Sequence, residues 1–321
     1  MSEKRESEVT DLAPSSLSHL IGQRSVIAQV SIAIEAAFAD NRKMDHALLV
    51  GPPGLGKSAL ARVIASEMAT DLHEVLGQKI AKFADLNALL LTAQDKDVIH
   101  IDECHELRKE FQVAMYTACD HRKVFLNGGC KGQSLRSIPV ADFTLLLSTT
   151  DEHRILQPLR DRMKLVLRFE FYSVEELVKV MLHRSRARGW TIDECVLPEI
   201  AQRSRGTPRL GLRLLDSCHR VCRANGDRAI TAAHLWRACE LEQIDDLGLG
   251  PTEQRYLGLL IGGPVRLNVL SNRLGLPPQT VVGVMEQFLV RSGLIDKDDQ
   301  GRRHLTGFGR QHLSNRCLFA V

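Results

Sequence analysis

The residues best suited to chemistry lie in one run, Gly51, Pro52, Pro53, Gly54, Leu55, Gly56, Lys57 and Ser58, which satisfies the pattern GxxxxGK[ST]. Glycines allow successive backbone N–H groups to turn inward around phosphate oxygens, and a helix starting there adds its positive N-terminal end. Lys57 then reaches the β- and γ-phosphates of a nucleotide, and the Ser58 hydroxyl becomes a ligand for Mg²⁺. Downstream, the apolar run Val98-Ile-His-Ile101 ends in Asp102 and Glu103. Asp102 suits the water shell of the same Mg²⁺, while Glu103 suits the orientation and polarisation of an attacking water. Two adjacent carboxylates also occur in solvated turns; after a phosphate loop they fit a hydrolytic site better. His100 and His105 flank them, but the HExxH spacing of a metal site is absent.

Three further places offer polar groups. Thr149 and Thr150 follow another apolar run and either meet a γ-phosphate with a hydroxyl or end a strand. Arg160 and Arg162, in Pro158-Leu-Arg160-Asp-Arg162, form a basic pair of the kind that more often makes surface salt bridges. Arg209, in Gly206-Thr-Pro-Arg209, falls in the first turn of a helix, where a cation is unfavourable unless an anion is near.

The elements that position these groups follow from periodicity. His46–Val50, Asp97–Ile101, Asp142–Leu147 and Leu165–Phe169 are short apolar runs, with helical patterns such as Ser58–Ala69 and Lys109–Ala118 between them. Short apolar strands alternating with helices imply a parallel sheet covered on both faces, with ligands at the carboxyl ends of its strands. Residues 15–172 are therefore expected to form an α/β nucleotide-binding domain behind a short disordered leader, 1–14. From Ser173 the pattern turns helical. Ser173-Val-Glu-Glu176 is a capping box, and Val174–Arg188, Asp193–Arg203, Pro208–Ala224 and Thr231–Leu241 follow with nothing strand-like among them. This predicts a small all-helical domain over 173–246.

Gly248-Leu-Gly-Pro251 reads as a linker into a third domain, 247–321. Turns at Gly262-Gly-Pro264 and Gly275-Leu-Pro-Pro278 separate three helices there, and Val281, Val284, Met285, Phe288 and Leu289 form the core stripe of the third. Leu294-Ile295, a turn and Arg302–Leu305 make a β-ribbon, so the module reads as a winged helix.

Composition sets bounds on all of this. The length of 321 residues predicts two or three domains, and 44% hydrophobic with 25% charged residues excludes wholesale disorder. The net charge of +3 is too small to establish nucleic-acid binding, so it must be read by segment. Residues 251–321 hold nine Lys/Arg against five acids, +4 within the winged-helix module, which leaves −1 for the rest. No apolar run reaches the ~18–20 residues of a membrane helix, and the polar N-terminus lacks a signal-peptide core. A cytoplasmic protein without membrane contact is expected. Eight cysteines without a CxxC pair argue against a zinc ribbon or a disulfide framework. Cys218, His219 and Cys222 share a helical turn but have no second ligand pair nearby.

Together these motifs resemble AAA+ ATPases and, over about Leu12 to Leu313, the RuvB family of Holliday-junction branch-migration motors. The resemblance rests on His-Leu-Ile-Gly-Gln23, Asp45-His-Ala-Leu-Leu-Val-Gly-Pro-Pro-Gly-Leu-Gly-Lys57 and Ile101-Asp-Glu-Cys-His105. It continues through Pro158-Leu-Arg-Asp-Arg162, Phe171-Tyr-Ser-Val-Glu-Glu-Leu177, Arg203-Ser-Arg-Gly-Thr-Pro-Arg209 and Gly262-Gly-Pro-Val265.

It implies an AAA+ domain, a helical lid and a winged helix, with ATP or ADP and Mg²⁺ bound. Nucleotide contacts would come from the phosphate loop through Ala59, from Leu20, Ile21 and Tyr172, and from Arg209 as the lid sensor. Thr150 would be the sensor of the large domain, and Arg162 a finger reaching the γ-phosphate of a neighbouring subunit. The expected assembly is a hexameric ring on duplex or Holliday-junction DNA. A RuvA-like protein would dock on a hairpin at about Arg122–Pro139 through Val124, Phe125 and Leu126, with a RuvC-like resolvase as a further partner. In the winged helix, Arg291, Arg302 and Arg303 would meet DNA.

Several positions depart from the family pattern. Ala13 and Leu20 stand where arginine and tyrosine are usual, and Cys104 replaces an aliphatic residue. Asp296, Asp298 and Asp299 enter the wing where a phosphate backbone should approach. The acidic wing motivates an alternative: a diverged RuvB-like ATP switch whose winged helix binds a protein or promoter. A clamp-loader-like or unfoldase-like ATPase is a third reading, disfavoured by the winged helix.

Overall fold

The computed structural model describes residues 14–126 and 136–317; the expected leader, Ala13 included, lies outside them except for Pro14. Two compact units emerge, Met1–Gly189 with Gly206–Arg209, and Trp190–Arg205 with Leu210–Val321.

The first unit is built on β1 (Ala47–Val50), β2 (Leu72–Leu76), β3 (Val98–Asp102), β6 (Thr144–Thr149) and β7 (Leu165–Arg168), with a hairpin of β4 (Lys123–Leu126) and β5 (Arg136–Pro139) outside the main sheet. The five strands are parallel in the order β2-β3-β6-β1-β7. Side chains alternate between two cores: Leu48, Ile99, Ile101, Leu145 and Leu147 on one face, and Leu49, Val98, Leu146 and Leu167 on the other. The apolar runs at β1, β3 and β6 are the strands buried on both faces, while the run at β7 forms the other edge, with Val166 and Arg168 exposed. β2 escaped that reading because it is a half-exposed edge strand, Leu-His-Glu-Val-Leu, with polar residues at its centre.

The capping box at Ser173 opens the helix Val174–Ala187: Glu176 N donates to Ser173 Oγ at 3.2 Å, and Ser173 N to Glu176 Oε2 at 3.0 Å. In the second unit the helices Leu197–Arg203, Pro208–Ala224 and Ala232–Glu242 arise where their periodicity places them, Pro208 and Arg209 belonging to the first unit. The stretch is not strand-free, since β8 (Thr191–Ile192) and β9 (Ala229–Ile230) pair in parallel. The segment read as a linker is a pinned turn. Asp245 Oδ1 accepts from the N–H groups of Leu247 and Leu249, and Arg205 donates to Gly248 O and pairs with Glu253 at 2.9 Å.

Helices Pro251–Leu259 and Leu267–Leu274, a long helical stretch over 278–291 and the ribbon β10 (Ile295–Lys297) with β11 (Arg303–Leu305) make the winged helix. A closing helix, Gly307–Cys317, has no counterpart in the sequence reading. The long stretch corrects its expected core stripe. Val281–Glu286 is wound as a π-helix, whose wider turn closes hydrogen bonds between residues five apart and shifts the face that each side chain takes. Val281 and Met285 stay buried, but Val284 turns outward at 68% exposure and Glu286 turns inward. The Glu286 carboxylate accepts from Arg303 Nε at 2.8 Å, Arg303 Nη2 at 3.1 Å and Tyr256 Oη at 3.0 Å, with Lys297 Nζ at 3.0 Å.

Burial pushes the Glu286 carboxyl up, yet the donors from Arg303, Lys297 and Tyr256 outweigh it and leave it below its ordinary 4.5. A depressed carboxyl contributes stability above its ordinary value, and that contribution fades as pH falls through the folded pKa. Glu286→Gln should therefore lower unfolding stability by about 3 kcal/mol at neutral pH. It should also flatten the loss of stability that the native chain shows on acidification below pH 4.5. Denaturant titrations of both proteins over a pH series measure this, and identical curves would show that the buried cluster does not hold the wing.

Candidate functional site

Gly51 begins where β1 ends, and its N–H donates to Thr149 O of β6 at 3.2 Å, so the phosphate loop springs from the carboxyl edge of the sheet. Gly54 has φ +80°, and a Cβ there would lie 2.9 Å from Arg209 Cβ and 3.0 Å from Thr207 Cγ2. Only glycine lets the Thr207–Arg209 turn come so near, and Arg209 is thereby placed beside the loop. Tyr172 ties the same region together: its hydroxyl donates to Leu55 O at 3.3 Å and its N–H to Gly206 O at 2.9 Å. Burial pushes the Tyr172 hydroxyl above its ordinary pKa, which keeps it a neutral donor. Leu20 is half-buried and packs on the core face that holds Leu55, and Ile21 and Ala59 are half-buried too.

Lys57 starts the helix Lys57–Met68 and is buried. Its ammonium donates to Gly51 O at 2.7 Å and Pro52 O at 2.9 Å. Burial pulls its pKa down, while Glu103 and Asp102 pull it back. The Ser58 hydroxyl donates to Asp102 Oδ2 at 2.9 Å, joining the loop to the end of β3. A hydroxyl and a carboxylate meeting at one point are the hard oxygen donors that Mg²⁺ takes, alongside waters and substrate phosphates. The two residues therefore fit the ion. No cluster of three or more His, Cys, Asp or Glu side chains suited to a metal occurs among the described residues.

Glu103 turns the chain with a left-handed φ of 50°. Its backbone passes so close to Gly77 that a Cβ on Gly77 would lie 2.6 Å from Glu103 O. The carboxylate oxygen Oε2 is buried and accepts no hydrogen bond, although His105 Nδ1 stands 3.3 Å away without a bonding angle. A buried acceptor left open suits a group that must take a water proton. Cys104 beside it is fully buried, and burial pushes its thiol up, which removes it as a nucleophile.

The structure separates the two threonines. Thr149 is buried, accepts Asp151 N at 2.9 Å and pairs with His105 Nδ1 at 3.2 Å, whereas Thr150 is exposed at the rim. Arg162 is engaged within its own chain. Its Nε donates to Asp120 Oδ1 at 2.8 Å, a second bond reaches Asp120 Oδ2, and its guanidinium lies 4.8 Å from the Tyr116 ring centre. The Asp120 carboxylate raises the guanidinium pKa. Sequence reasoning missed Asp120 and the His105 contacts, because no spacing rule marks residues brought together only by the tertiary fold.

The hairpin also divides. Pairing is antiparallel, Val124 with Ile138 and Leu126 with Arg136, and residues 127–135 lie outside the described residues. Val124 faces the core, with 4% of its surface exposed, so it is not offered to a partner as expected. Phe125 points out at 46% and lines, with Phe83, Leu90 and Val113, an apolar groove of about 770 Å³. Leu126 closes the described part of its strand.

One expected DNA contact needs correction. Arg303 is buried by its ion pair with Glu286 and faces inward. Arg302 Nε is bound to Asp298 Oδ2 at 2.7 Å, and Arg291 donates to Arg205 O at 2.7 Å and stands over Phe288. Asp298 also accepts the N–H groups of Gln300 and Arg302, so this acid shapes the wing turn. Arg266, Arg273 and Arg310 are exposed in the same module.

Comparison with known proteins accounts for nearly the whole chain. The family described as "Holliday junction DNA helicase RuvB P-loop domain" matches residues 12–169, "RuvB AAA lid domain" 172–245 and "RuvB C-terminal winged helix domain" 246–314. The Holliday junction branch migration complex subunit RuvB of Corynebacterium diphtheriae is 37% identical over 307 residues, 94% of this chain and 84% of that protein. Its counterpart from Thermotoga maritima is 35% identical over 303 residues, 92% of this chain and 90% of that protein. A solved structure of the Thermotoga maritima RuvB branch migration motor superposes with a TM-score of 0.83 at 33% identity, covering 95% of this chain and 98% of the other. By matches that span all three of its parts, the chain belongs to the RuvB family of AAA+ ATPases, with a P-loop domain, a helical lid and a winged helix.

Proposed function

We propose that this chain is an ATP-hydrolysing motor subunit that works as a ring, hexameric by analogy with its family, on duplex DNA at Holliday junctions. The observation that carries this reading is the convergence of Lys57, Ser58 and Asp102 at the strand ends with the open acceptor of Glu103. The phosphate loop wraps the triphosphate with its N–H groups, and Lys57 exchanges its two carbonyl partners for phosphate oxygens. Ser58 and Asp102 would hold Mg²⁺, which supplies neutralisation of charge on the phosphate oxygens. Glu103 takes the proton of the attacking water, Thr150 at the rim senses the γ-phosphate, and Arg209 reports nucleotide from the lid side of the loop. Arg162 leaves Asp120 to reach the nucleotide of a neighbouring subunit.

Two partner surfaces follow from exposure. A RuvA-like junction-binding protein is accommodated by the apolar groove at Phe125, and a RuvC-like resolvase would share the junction. DNA contacts shift from the buried Arg303 to the exposed Arg266, Arg273 and Arg310, with Arg291 and Arg302 retained beside them. The localisation proposed with this function is cytoplasmic; no helix among the described residues is long and apolar enough to cross a membrane.

Hydrolysis tests the catalytic half. Glu103→Gln should bind ATP normally while turnover falls by about 10²–10⁴-fold, and Lys57→Ala should lose nucleotide binding. Mixing inactive Arg162→Ala with inactive Lys57→Ala subunits should restore partial activity, because a finger acting between subunits is then paired with an intact site. No recovery at any ratio would refute supply from a neighbour.

Salt titration of junction binding tests the DNA half. Arg266→Ala with Arg273→Ala should reduce the slope of log affinity against log salt by about two, whereas Arg303→Ala should lower thermal stability. Absence of any junction or duplex binding at low salt would replace the motor by the ATP-switch alternative.

A further inference from the structure

His105 sits in the short turn Cys104–Glu106 immediately after β3, with only 11% of its side chain exposed. Three groups converge on its ring. Nδ1 lies 3.3 Å from Glu103 Oε2 and 3.2 Å from Thr149 Oγ1, and Nε2 lies 3.3 Å from Glu106 Oε1. None of these partners is loose. Thr149 Oγ1 also accepts Asp151 N at 2.9 Å, and Glu106 is held by Arg154 Nη1 at 2.8 Å. The imidazole is thus hydrogen-bonded on its Nδ1 edge to Thr149 of β6 and lies against the Glu106 carboxylate on its Nε2 edge. Its third neighbour is the Glu103 carboxylate, whose buried Oε2 accepts no hydrogen bond among the described residues.

A general base must hold its oxygen within hydrogen-bond reach of the water it deprotonates. Glu103 rises from a left-handed turn, and no hydrogen bond to its Oε2 holds the side chain among the described residues. We propose that His105 is a positioning residue: its Nδ1 edge confines the Glu103 carboxylate to the rotamer that faces the water, and Thr149 ties that edge to the end of β6. The inference rests on the reading of Glu103 as the base. It gives Thr149, the buried threonine, a role distinct from that of exposed Thr150. Nε2 has the complementary task of anchoring the ring to Glu106, so the two ring nitrogens differ in function.

That difference defines the experiment, made on the full chain with ATP turnover, KM and ADP affinity measured together. His105→Ala should lower kcat by about 10²-fold, the cost of a small misplacement of a reacting group, while KM and ADP affinity stay within about two-fold. His105→Asn places an amide nitrogen near the Nδ1 position and should recover kcat to within about five-fold of the native chain. His105→Gln reaches instead toward the Nε2 position and should remain as slow as His105→Ala. Added to Glu103→Gln, His105→Ala should cost nothing further in single-turnover hydrolysis, because the two residues act as one unit.

Native kcat in His105→Ala, equal recovery by the Asn and Gln variants, or an additive loss on Glu103→Gln would each overturn the positioning role. Should the alanine variant melt, the contrast between the Asn and Gln variants decides alone. Native turnover in Glu103→Gln would instead overturn the reading of Glu103 as the base, and the inference with it. An inactive Glu103→Gln beside a native His105→Ala overturns only the positioning.

Discussion

The hydrogen bond from Ser58 to Asp102 joins two segments that the chain separates by 44 residues, and the site depends on it. It forms because β1 and β3 lie on either side of β6, with Val50 opposite Thr149 and Ile101 opposite Leu147. A slip of one residue in either pairing would turn every side chain of that strand to the other face. Cores on both faces of the sheet forbid the slip, since Leu48 and Leu49 fill different cores. Register thus converts apolar packing into a fixed distance between hydroxyl and carboxylate. Lys57 and Glu103, each one residue away, inherit their places from that distance.

Charge is spent inside the molecule before it is offered outside. The +4 counted over residues 251–321 includes Arg303, buried against Glu286, and Arg302, bound to Asp298. The π-turn causes the first of these pairs, because it rotates Glu286 into the core, where a carboxylate persists only with donors around it. An acid in the wing that looks hostile to DNA is partly a structural acceptor: Asp298 binds its own turn. Counting charges along a sequence therefore overstates both attraction and repulsion at this surface.

Legibility followed burial and spacing. The apolar runs of β1, β3, β6 and β7, the phosphate loop, the paired carboxylates and the capping box at Ser173 all combine a local pattern with a local consequence. What escaped lacks one or the other. β2 is a polar edge strand, and β8 and β9 are two residues each. Val284 carries an α-helical spacing that the π-turn overrides. Arg303 and Val124 have residue types suited to an interface, but β-strand alternation turns both inward. Asp120 and His105 acquire partners 42 and 44 residues distant through the fold alone.

The cis pairing of Arg162 with Asp120 is compatible with a finger that acts on a neighbour, and magnitudes decide this. The pair is partly exposed, 30% for the arginine and 36% for the aspartate, which places it among ion pairs that contribute about 0–1 kcal/mol. A finger supplied between subunits accelerates phosphoryl transfer by about 10³–10⁵-fold, equivalent to roughly 4–7 kcal/mol of transition-state stabilisation. Breaking the pair therefore costs much less than the finger returns. Held over Tyr116 by Asp120, the guanidinium has fewer orientations to lose when a subunit arrives. The weak tether holds Arg162 over Tyr116 and leaves it transferable, as the role proposed for it between subunits would require.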